Sequence, residues 1–199
     1  MGEILSQCWF ERSALAVAPD LIGCTLVRRF ADGRMLRGMI VETEAYEEGD
    51  PACHAYRKKT KRNWIMFGPA GYVYVYLIYG MYYCVNFITD RDEFASAVLI
   101  RALAMENVNS ALLKPKELKP KEKPDRIAAG PGKLCRVMEI DLDLYGTKLD
   151  EGSALWVEAR SMALDSSIDL IQTTRIGLTQ GVDLPWRWYL KDCKAISKP

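Results

Sequence analysis

The chain has 199 residues, of which 49% are hydrophobic, and this length and composition fit one folded domain and exclude a wholly disordered protein. Lysine and arginine total 27 against 26 acidic residues. The resulting net charge of +1 excludes a global attraction to phosphate, so any nucleic acid must meet a local basic surface. The single histidine, His54, excludes metal sites that need two or more histidines.

The N-terminal part of the chain predicts a helix followed by two paired strands. Ser13 is a helix-capping residue type, and apolar residues at helical spacing follow it as far as residue 21. The predicted strands cover residues 24–30 and 35–46, with a tight Asp-Gly turn between them. Residues 47–63 are polar and predict a loop.

Strands joined by short turns continue through the rest of the chain. They are predicted over residues 72–79, 81–88, 95–104, 153–158 and 186–190, with helices over residues 105–113 and 134–140. Residues 114–124 hold five lysines and three prolines, which is typical of a flexible segment. We therefore expect an α+β fold over residues 1–199: a single domain with its core in residues 9–190, mainly a curved antiparallel β-sheet flanked by short helices.

The cysteine pattern favours a reducing environment. None of the six cysteines forms a C-x-x-C pair, and Cys24, Cys84 and Cys135 lie in apolar runs, where a reduced thiol behaves as a small hydrophobic group. We expect free thiols and an intracellular protein, in the cytoplasm, nucleoid or nucleus. No apolar stretch approaches the roughly 20 residues that cross a bilayer, so no membrane partner is expected.

Two acidic residues share one face of the second predicted strand. In the run V-E-T-E-A-Y at residues 41–46, the side chains of Glu42, Glu44 and Tyr46 point to the same side. On a face that meets water they are merely solvated, whereas in a cleft two acids beside a phenol form a proton-transfer site. His54 is either a structural residue or a hydrogen-bonding partner for a heteroaromatic ligand.

Tyrosines are unusually dense between residues 72 and 83. A run of this kind cannot be wholly interior, because each hydroxyl group needs a partner. Tyr79 precedes the turn at Gly80, at the tip of a predicted protruding hairpin, and an aromatic side chain there is suited to wedging between DNA bases. Packing in a sheet is the alternative. The basic residues at 57–62 suit phosphate contacts or a solvated surface.

Five segments together resemble the alkyladenine (3-methyladenine) DNA glycosylase family. They are V-E-T-E-A-Y at residues 41–46, His54, Y-V-Y-L-I-Y-G-M-Y-Y-C-V-N at 74–86, V-L-I-R-A-L-A at 98–104 and G-P-G-K-L-C at 130–135. The resemblance implies a monofunctional DNA glycosylase, a hydrolase that initiates base excision repair. It implies extrusion of damaged purines from duplex DNA: 3-methyladenine, 7-methylguanine, hypoxanthine and ethenoadenine.

The same resemblance implies roles for individual residues. Glu44 is the expected general base for water, and Arg101 is the second catalytic residue, which helps to hold the water and the target phosphate. Tyr46, His54 and Tyr76 are the expected substrate-binding residues around the extruded base. No metal, other cofactor or lyase activity is expected, and the protein is expected to act as a monomer.

Further roles concern the DNA around the extruded base. The resemblance implies that Asn86 excludes normal guanine and that Tyr79 intercalates into the vacated stack. DNA-binding residues are expected at Met81, Tyr82, Arg62 and Lys133. Two rival functions are a non-catalytic binder of damaged or single-stranded nucleic acid and a hydrolase of free nucleosides. A non-catalytic binder would not explain Glu44, because a carboxylate repels phosphate. A nucleoside hydrolase would not explain Tyr79, because it needs no side chain that wedges between bases.

Overall fold

The computed structural model describes residues 2–106, 123–161 and 168–199. Its helices are α1 (Gln7–Phe10), α2 (Ala14–Asp20) and α3 (Pro131–Val137), with short 3-10 turns at Trp64–Phe67, Pro124–Arg126 and Leu142–Leu144. Its strands are β1 (Thr25–Arg29), β2 (Met35–Glu47), β3 (Val73–Ile78), β4 (Tyr82–Ile88), β5 (Ser96–Met105), β6 (Leu155–Glu158), β7 (Leu170–Thr173) and β8 (Arg187–Leu190). No helix in these three ranges is long and apolar enough to cross a membrane.

These strands form one antiparallel sheet that curls around β2. Most of it follows the order β3-β4-β5-β2-β1-β6, while β8 pairs with both β2 and β7. One edge of β2 is shared: β1 pairs with residues 35–39 and β8 with residues 42–44. The pairing of β2 with β5 has an irregular register between residues 40 and 43, which is where the partner on the other edge changes from β1 to β8. A bulge of this kind bends a strand. The expectation of an α+β fold built on a curved antiparallel sheet is confirmed.

Most of the predicted elements are confirmed, with shifts at their ends. Helix α2 begins where expected, since the Ser13 hydroxyl accepts a hydrogen bond from the Ala16 amide at 3.3 Å. Helix α3 begins at Pro131, earlier than predicted, because proline is favoured in the first turn of a helix. Helix α1 and strand β7 were not predicted. The predicted helix over 105–113 is wrong at its start, where β5 runs to Met105, and residues 107–122 lie outside the described residues.

Different parts of the chain pack on the two faces of the sheet. Along β3, Val73 and Val75 pack into the large apolar core beneath the helices, whereas Tyr74 and Tyr76 belong to a separate cluster under the 47–72 segment. Alternation along a strand produces this division. The tyrosines are therefore concentrated on the face that the helices leave to the loops, and the candidate site lies there.

Candidate active site

A cavity of about 360 Å³ opens on the tyrosine-bearing face of the sheet. Its walls come from Glu44 and Tyr46 of β2, Tyr76 of β3, Cys84 of β4, Leu99 and Arg101 of β5, and residues 176–178 of the loop before β8. Residues 130–133, at the start of α3, and Tyr79 and Tyr82, at the hairpin end, also line it. The volume lies within the range of about 300–1,000 Å³ typical of small-molecule pockets.

Glu44 is the acidic residue that lines this cavity. Strands β5 and β8 flank it on both sides, and its side chain is fully buried. The Tyr46 hydroxyl donates to Oε2 at 2.8 Å, the Ile176 amide donates to Oε1 at 2.8 Å, and Arg101 Nη1 lies 3.1 Å from Oε1. An ionised carboxylate has about four lone-pair positions, so three donors leave room for a further hydrogen bond.

Glu42 is equally buried but its oxygens are already occupied. Oε1 accepts from Arg101 Nε at 3.0 Å, from Arg187 Nη1 at 2.9 Å and from the Ser197 hydroxyl at 2.8 Å. Oε2 accepts from the Ser197 amide at 2.6 Å. Glu42 does not line the cavity, and its contacts tie the C-terminal segment to the sheet. The alternation along the strand presents the two glutamates as equivalent, whereas the structure separates them.

Arg101 lies between the two carboxylates. Its Nη2 also donates to the Ser197 hydroxyl at 3.3 Å. Burial disfavours the charge, but the Glu44 and Glu42 carboxylates outweigh it, so the pKa of Arg101 is raised. A guanidinium has five N–H donors, and not all are used by these contacts, so Arg101 presents positive charge to the cavity beside Glu44.

Two tyrosines form aromatic walls. Burial and the nearby Glu44 carboxylate raise the pKa of Tyr46, so this phenol stays protonated and donates to Glu44. Burial also raises the pKa of Tyr76. The Tyr76 ring contacts His54 edge to face, with a centroid distance of 4.5 Å, and the Arg62 guanidinium lies 5.5 Å from its centre.

His54 contacts the tyrosine cluster from a neighbouring cavity. Its Nδ1 lies 2.9 Å from the Tyr74 hydroxyl, and the residue lines a polar cavity of about 540 Å³ that also holds Arg57 and Gln180. Although His54 is an exposed residue, partial burial and the Arg62 charge lower the pKa of His54 to about 4. The imidazole is therefore neutral at pH 7, so one ring nitrogen can donate a hydrogen bond and the other can accept one.

This low pKa predicts a pH dependence of folding stability. Between about pH 4 and the usual 6.5, the unfolded chain binds a proton at His54 that the folded protein does not. The free energy of unfolding should thus fall as the pH is lowered through this window. The substitution His54→Asn should remove this part of the pH dependence. Urea unfolding midpoints at several pH values measure the slope for both proteins. Equal slopes would show that His54 titrates normally in the folded state.

Asn86 does not line the main cavity but lies next to its wall. Its side chain is buried, and Nδ2 donates to the Tyr74 carbonyl oxygen at 3.2 Å. On β4 it shares a face with Cys84, which does line the cavity, and it pairs with Tyr74 and Leu99 on the flanking strands. The backbone contact satisfies one donor of its amide group.

The β3–β4 hairpin presents a large aromatic side chain to solvent. Tyr79 is 80% exposed and has a φ of +53°, and the adjacent Gly80 has a φ of +69°. A non-glycine residue in this region costs of order 1–3 kcal/mol, so the turn holds Tyr79 outward against a local preference. Met81 and Tyr82 follow it at 67% and 40% exposure.

The two predicted basic contacts flank the aromatic site. Arg62 is exposed beside Tyr76, and Lys133 is half-buried at the cavity rim, where Nζ donates to the Arg126 carbonyl oxygen at 3.2 Å. Seven of the predicted site residues line one cavity: Glu44, Tyr46, Tyr76, Tyr79, Tyr82, Arg101 and Lys133. His54, Asn86, Arg62 and Met81 lie around it.

Several residues that line this site were not predicted from the sequence, among them Cys84 and Ile176. Cys84 lines the cavity and pairs with Tyr76 across the hairpin, and its alignment with Tyr76 follows from the register around Gly80. Ile176 supplies a backbone amide to Glu44, and no side-chain pattern signals a backbone donor. In the described part of the chain, no group of three or more His, Cys, Asp and Glu residues could hold a metal ion. All six cysteines are free thiols.

Comparison with known proteins identifies the family to which the chain is similar. The family model described as methylpurine-DNA glycosylase (MPG) matches residues 8–194. A protein from Trichodesmium erythraeum (strain IMS101), named "Putative 3-methyladenine DNA glycosylase", is 55% identical over 199 residues, covering 99% of this chain and 98% of its own length. Proteins of the same name from Synechococcus sp. (strain JA-3-3Ab) and Methanoculleus marisnigri (strain ATCC 35101 / DSM 1498 / JR1) are 50% and 43% identical, over 95% and 98% of this chain and 96% and 98% of their own lengths.

These matches define the class as a DNA glycosylase, a hydrolase that acts on DNA with a damaged base. The chain belongs to the methylpurine-DNA glycosylase family, since the family model covers nearly all of it and the relatives align from end to end. The resemblance stated from the five sequence segments is thereby confirmed.

Proposed function

We propose that this protein excises 3-methyladenine and related damaged purines from duplex DNA, and that the Glu44 cavity receives the extruded base. The observation that carries the proposal is the placement of one buried carboxylate among aromatic walls, below an exposed aromatic hairpin tip. The relatives named for 3-methyladenine support the choice of lesion. The other implied lesions, 7-methylguanine, hypoxanthine and ethenoadenine, are purines of similar size.

The reaction is a hydrolysis at the sugar carbon that carries the base. Glu44 accepts a proton from water through the hydrogen-bonding position that its three donors leave open, and the water oxygen bonds to that carbon. The bond from carbon to purine nitrogen breaks, and the purine keeps the electron pair. An alkylated purine that carries a positive charge leaves as a neutral base, so this step needs no strong acid. Arg101 holds the water and a phosphate oxygen next to Glu44.

Aromatic walls favour a charged base. The faces of Tyr46 and Tyr76 attract a cationic alkylpurine by about 0.5–2 kcal/mol per contact. Burial that keeps both phenols protonated also keeps these walls uncharged. A neutral lesion such as hypoxanthine lacks this attraction and depends more on hydrogen bonds, for which the neutral His54 is suited.

The test uses duplexes that each carry one defined lesion, incubated with protein in excess chelator and then treated with alkali. We expect alkali-sensitive sites at the lesion and no release of hypoxanthine from free inosine. Release from inosine at a comparable rate would favour a nucleoside hydrolase. Tight binding of lesion DNA without any alkali-sensitive site would favour a non-catalytic binder, and loss of activity in chelator would show that a metal takes part.

Substitution of the hairpin tip tests the proposed intercalation. Tyr79→Ala should weaken binding of duplex DNA with a lesion by roughly 1–3 kcal/mol, because a stacking contact on a base is lost. Tyr79→Phe keeps the ring and the strained turn and should bind nearly as wild type. Fluorescence anisotropy measures the affinities. When the lesion lies in a bulge, where unstacking is already done, the loss should shrink; an equal loss on both substrates would argue against a wedge.

Substitution of Asn86 tests the proposed exclusion of guanine. Guanine carries an amino group at purine C2, where adenine and hypoxanthine carry hydrogen, and a side chain against C2 excludes it by about 1–3 kcal/mol. Asn86→Ser should raise the slow release of guanine from undamaged duplex DNA about 5- to 150-fold, with a smaller change for hypoxanthine. Mass spectrometry of released bases measures both. Asn86 also bonds to a backbone carbonyl, so the thermal midpoint must be measured alongside. Guanine that stays excluded in a folded, active variant would contradict this role.

A further inference from the structure

A buried ion pair behind the cavity joins the chain segments that surround Glu44. The Arg175 and Asp50 side chains are both fully buried, and neither lines the cavity. Both Nη atoms of Arg175 donate to Asp50, with Nη2 at 2.9 Å from Oδ1. Burial disfavours the charge of Arg175, but Asp50 outweighs it and raises the pKa of Arg175. Arg175 therefore keeps its positive charge.

The same guanidinium reaches two further segments through backbone oxygens. Nη1 donates to the Ala45 carbonyl at 3.0 Å, between the two site residues of β2, and Nη2 donates to the Gly181 carbonyl at 3.3 Å. Asp50 in turn accepts from the Ala52 amide at 3.0 Å, and its carbonyl accepts from the Cys53 amide at 2.9 Å. One ion pair thus connects β2, the turn that leads to the histidine, and the loop that ends before β8.

Arg175 also contacts an aromatic wall of the cavity. Its guanidinium carbon lies 4.6 Å from the centre of the Tyr46 ring and 5.2 Å from that of Trp186. Tyr46 is held by this contact on one side while its hydroxyl donates to Glu44. The next residue after Arg175 is Ile176, whose amide donates to the other oxygen of Glu44 at 2.8 Å. Two of the three donors to Glu44 therefore depend on where Arg175 lies.

We propose that Arg175, fixed by Asp50, is a positioning residue for base excision, because it sets the Tyr46 hydroxyl and the Ile176 amide on the Glu44 carboxylate. This inference rests on the proposed role of Glu44 as the base. A carboxylate that must accept a proton from one water needs an orientation defined to a fraction of an ångström, and a misplacement of about 1 Å costs about 10²-fold in rate. Removal of one partner from a buried ion pair also destabilises the fold, so the test must separate a loss of stability from a loss of positioning.

The test compares Arg175→Met with a control variant at another pair in which an arginine contacts both carboxylate oxygens. Arg37 donates to both oxygens of Glu158, at 3.0 and 2.9 Å, and does not line the Glu44 cavity. Single-turnover excision from duplex DNA with one hypoxanthine is measured below the melting transition of every variant. We expect Arg175→Met to lower the rate about 10- to 100-fold with DNA affinity changed less than about threefold. Arg37→Met should lose stability but keep the wild-type rate.

A double variant identifies the residue through which Arg175 acts. If it acts through Glu44, Arg175→Met should cause little further loss in a Glu44→Gln background, since the oriented base is already absent. Equal losses in both backgrounds would overturn the proposal, as would a wild-type rate in folded Arg175→Met. If Arg175→Met does not fold, the milder substitutions Arg175→Lys and Asp50→Asn are compared in the same two backgrounds. If the proposed function itself is wrong, the wild-type protein will release no base, which distinguishes that outcome from a failure of the Arg175 proposal.

Discussion

Glu44→Gln is expected to lower the single-turnover rate of base excision at least about 10²-fold, the usual contribution of a positioned general base. The amide is nearly the same shape but cannot take a proton from water. Binding of lesion DNA should change only a few-fold, because the aromatic walls and the hairpin tip are untouched. Quenched-flow excision and anisotropy on the same duplex separate the two effects.

Glu42→Gln is the internal control for that experiment. Glu42 is as buried as Glu44, but it does not line the cavity, and Arg101, Arg187 and Ser197 occupy its oxygens. This variant should lose stability and retain most of the excision rate at a temperature where it is folded. A large loss of rate in folded Glu42→Gln, with none in Glu44→Gln, would show that the other carboxylate is the base.

Arg101→Met should have the largest effect on stability, a loss of about 3–5 kcal/mol in the free energy of unfolding. Glu42 would keep its contact with Arg187, whereas Glu44 would lose the guanidinium beside it, which leaves negative charge uncompensated in the interior. Urea denaturation with tryptophan fluorescence measures the loss. Lys191→Met, which removes an exposed ion pair with Asp169, should leave the unfolding curve nearly unchanged. Equal curves for wild type and Arg101→Met would show that the carboxylates are less buried or less charged than this arrangement implies.

Local pattern was sufficient to predict the strands other than β7, and the face that carries Glu44 and Tyr46. Alternation in residues 41–46 is a property of the strand itself, and the turn at Gly80 fixes how Tyr76 meets Cys84. The tyrosine density on one face also follows from alternation, since the valines of β3 pack beneath the helices instead.

Long-range contacts could not be predicted in the same way. Arg187 and Ser197 lie near the C-terminal end of the chain and contact Glu42, which leaves Glu44 as the acidic residue of the cavity. Nothing in residues 41–46 signals these contacts. The Ile176 donor is a backbone group, which any residue type could supply. The His54 environment depends likewise on two tyrosine rings of β3, which His54 meets only in the folded protein.

The most direct test of this account measures the purine released from methylated duplex DNA by mass spectrometry, together with the integrity of the DNA strand before alkali. With wild-type protein in excess chelator, we expect free 3-methyladenine in proportion to alkali-sensitive sites and an unbroken strand until alkali is added. Glu44→Gln should release at least about 10²-fold less in the same time. Strand breaks without alkali, or equal release by the Glu44 variant, would contradict hydrolysis by a Glu44-activated water.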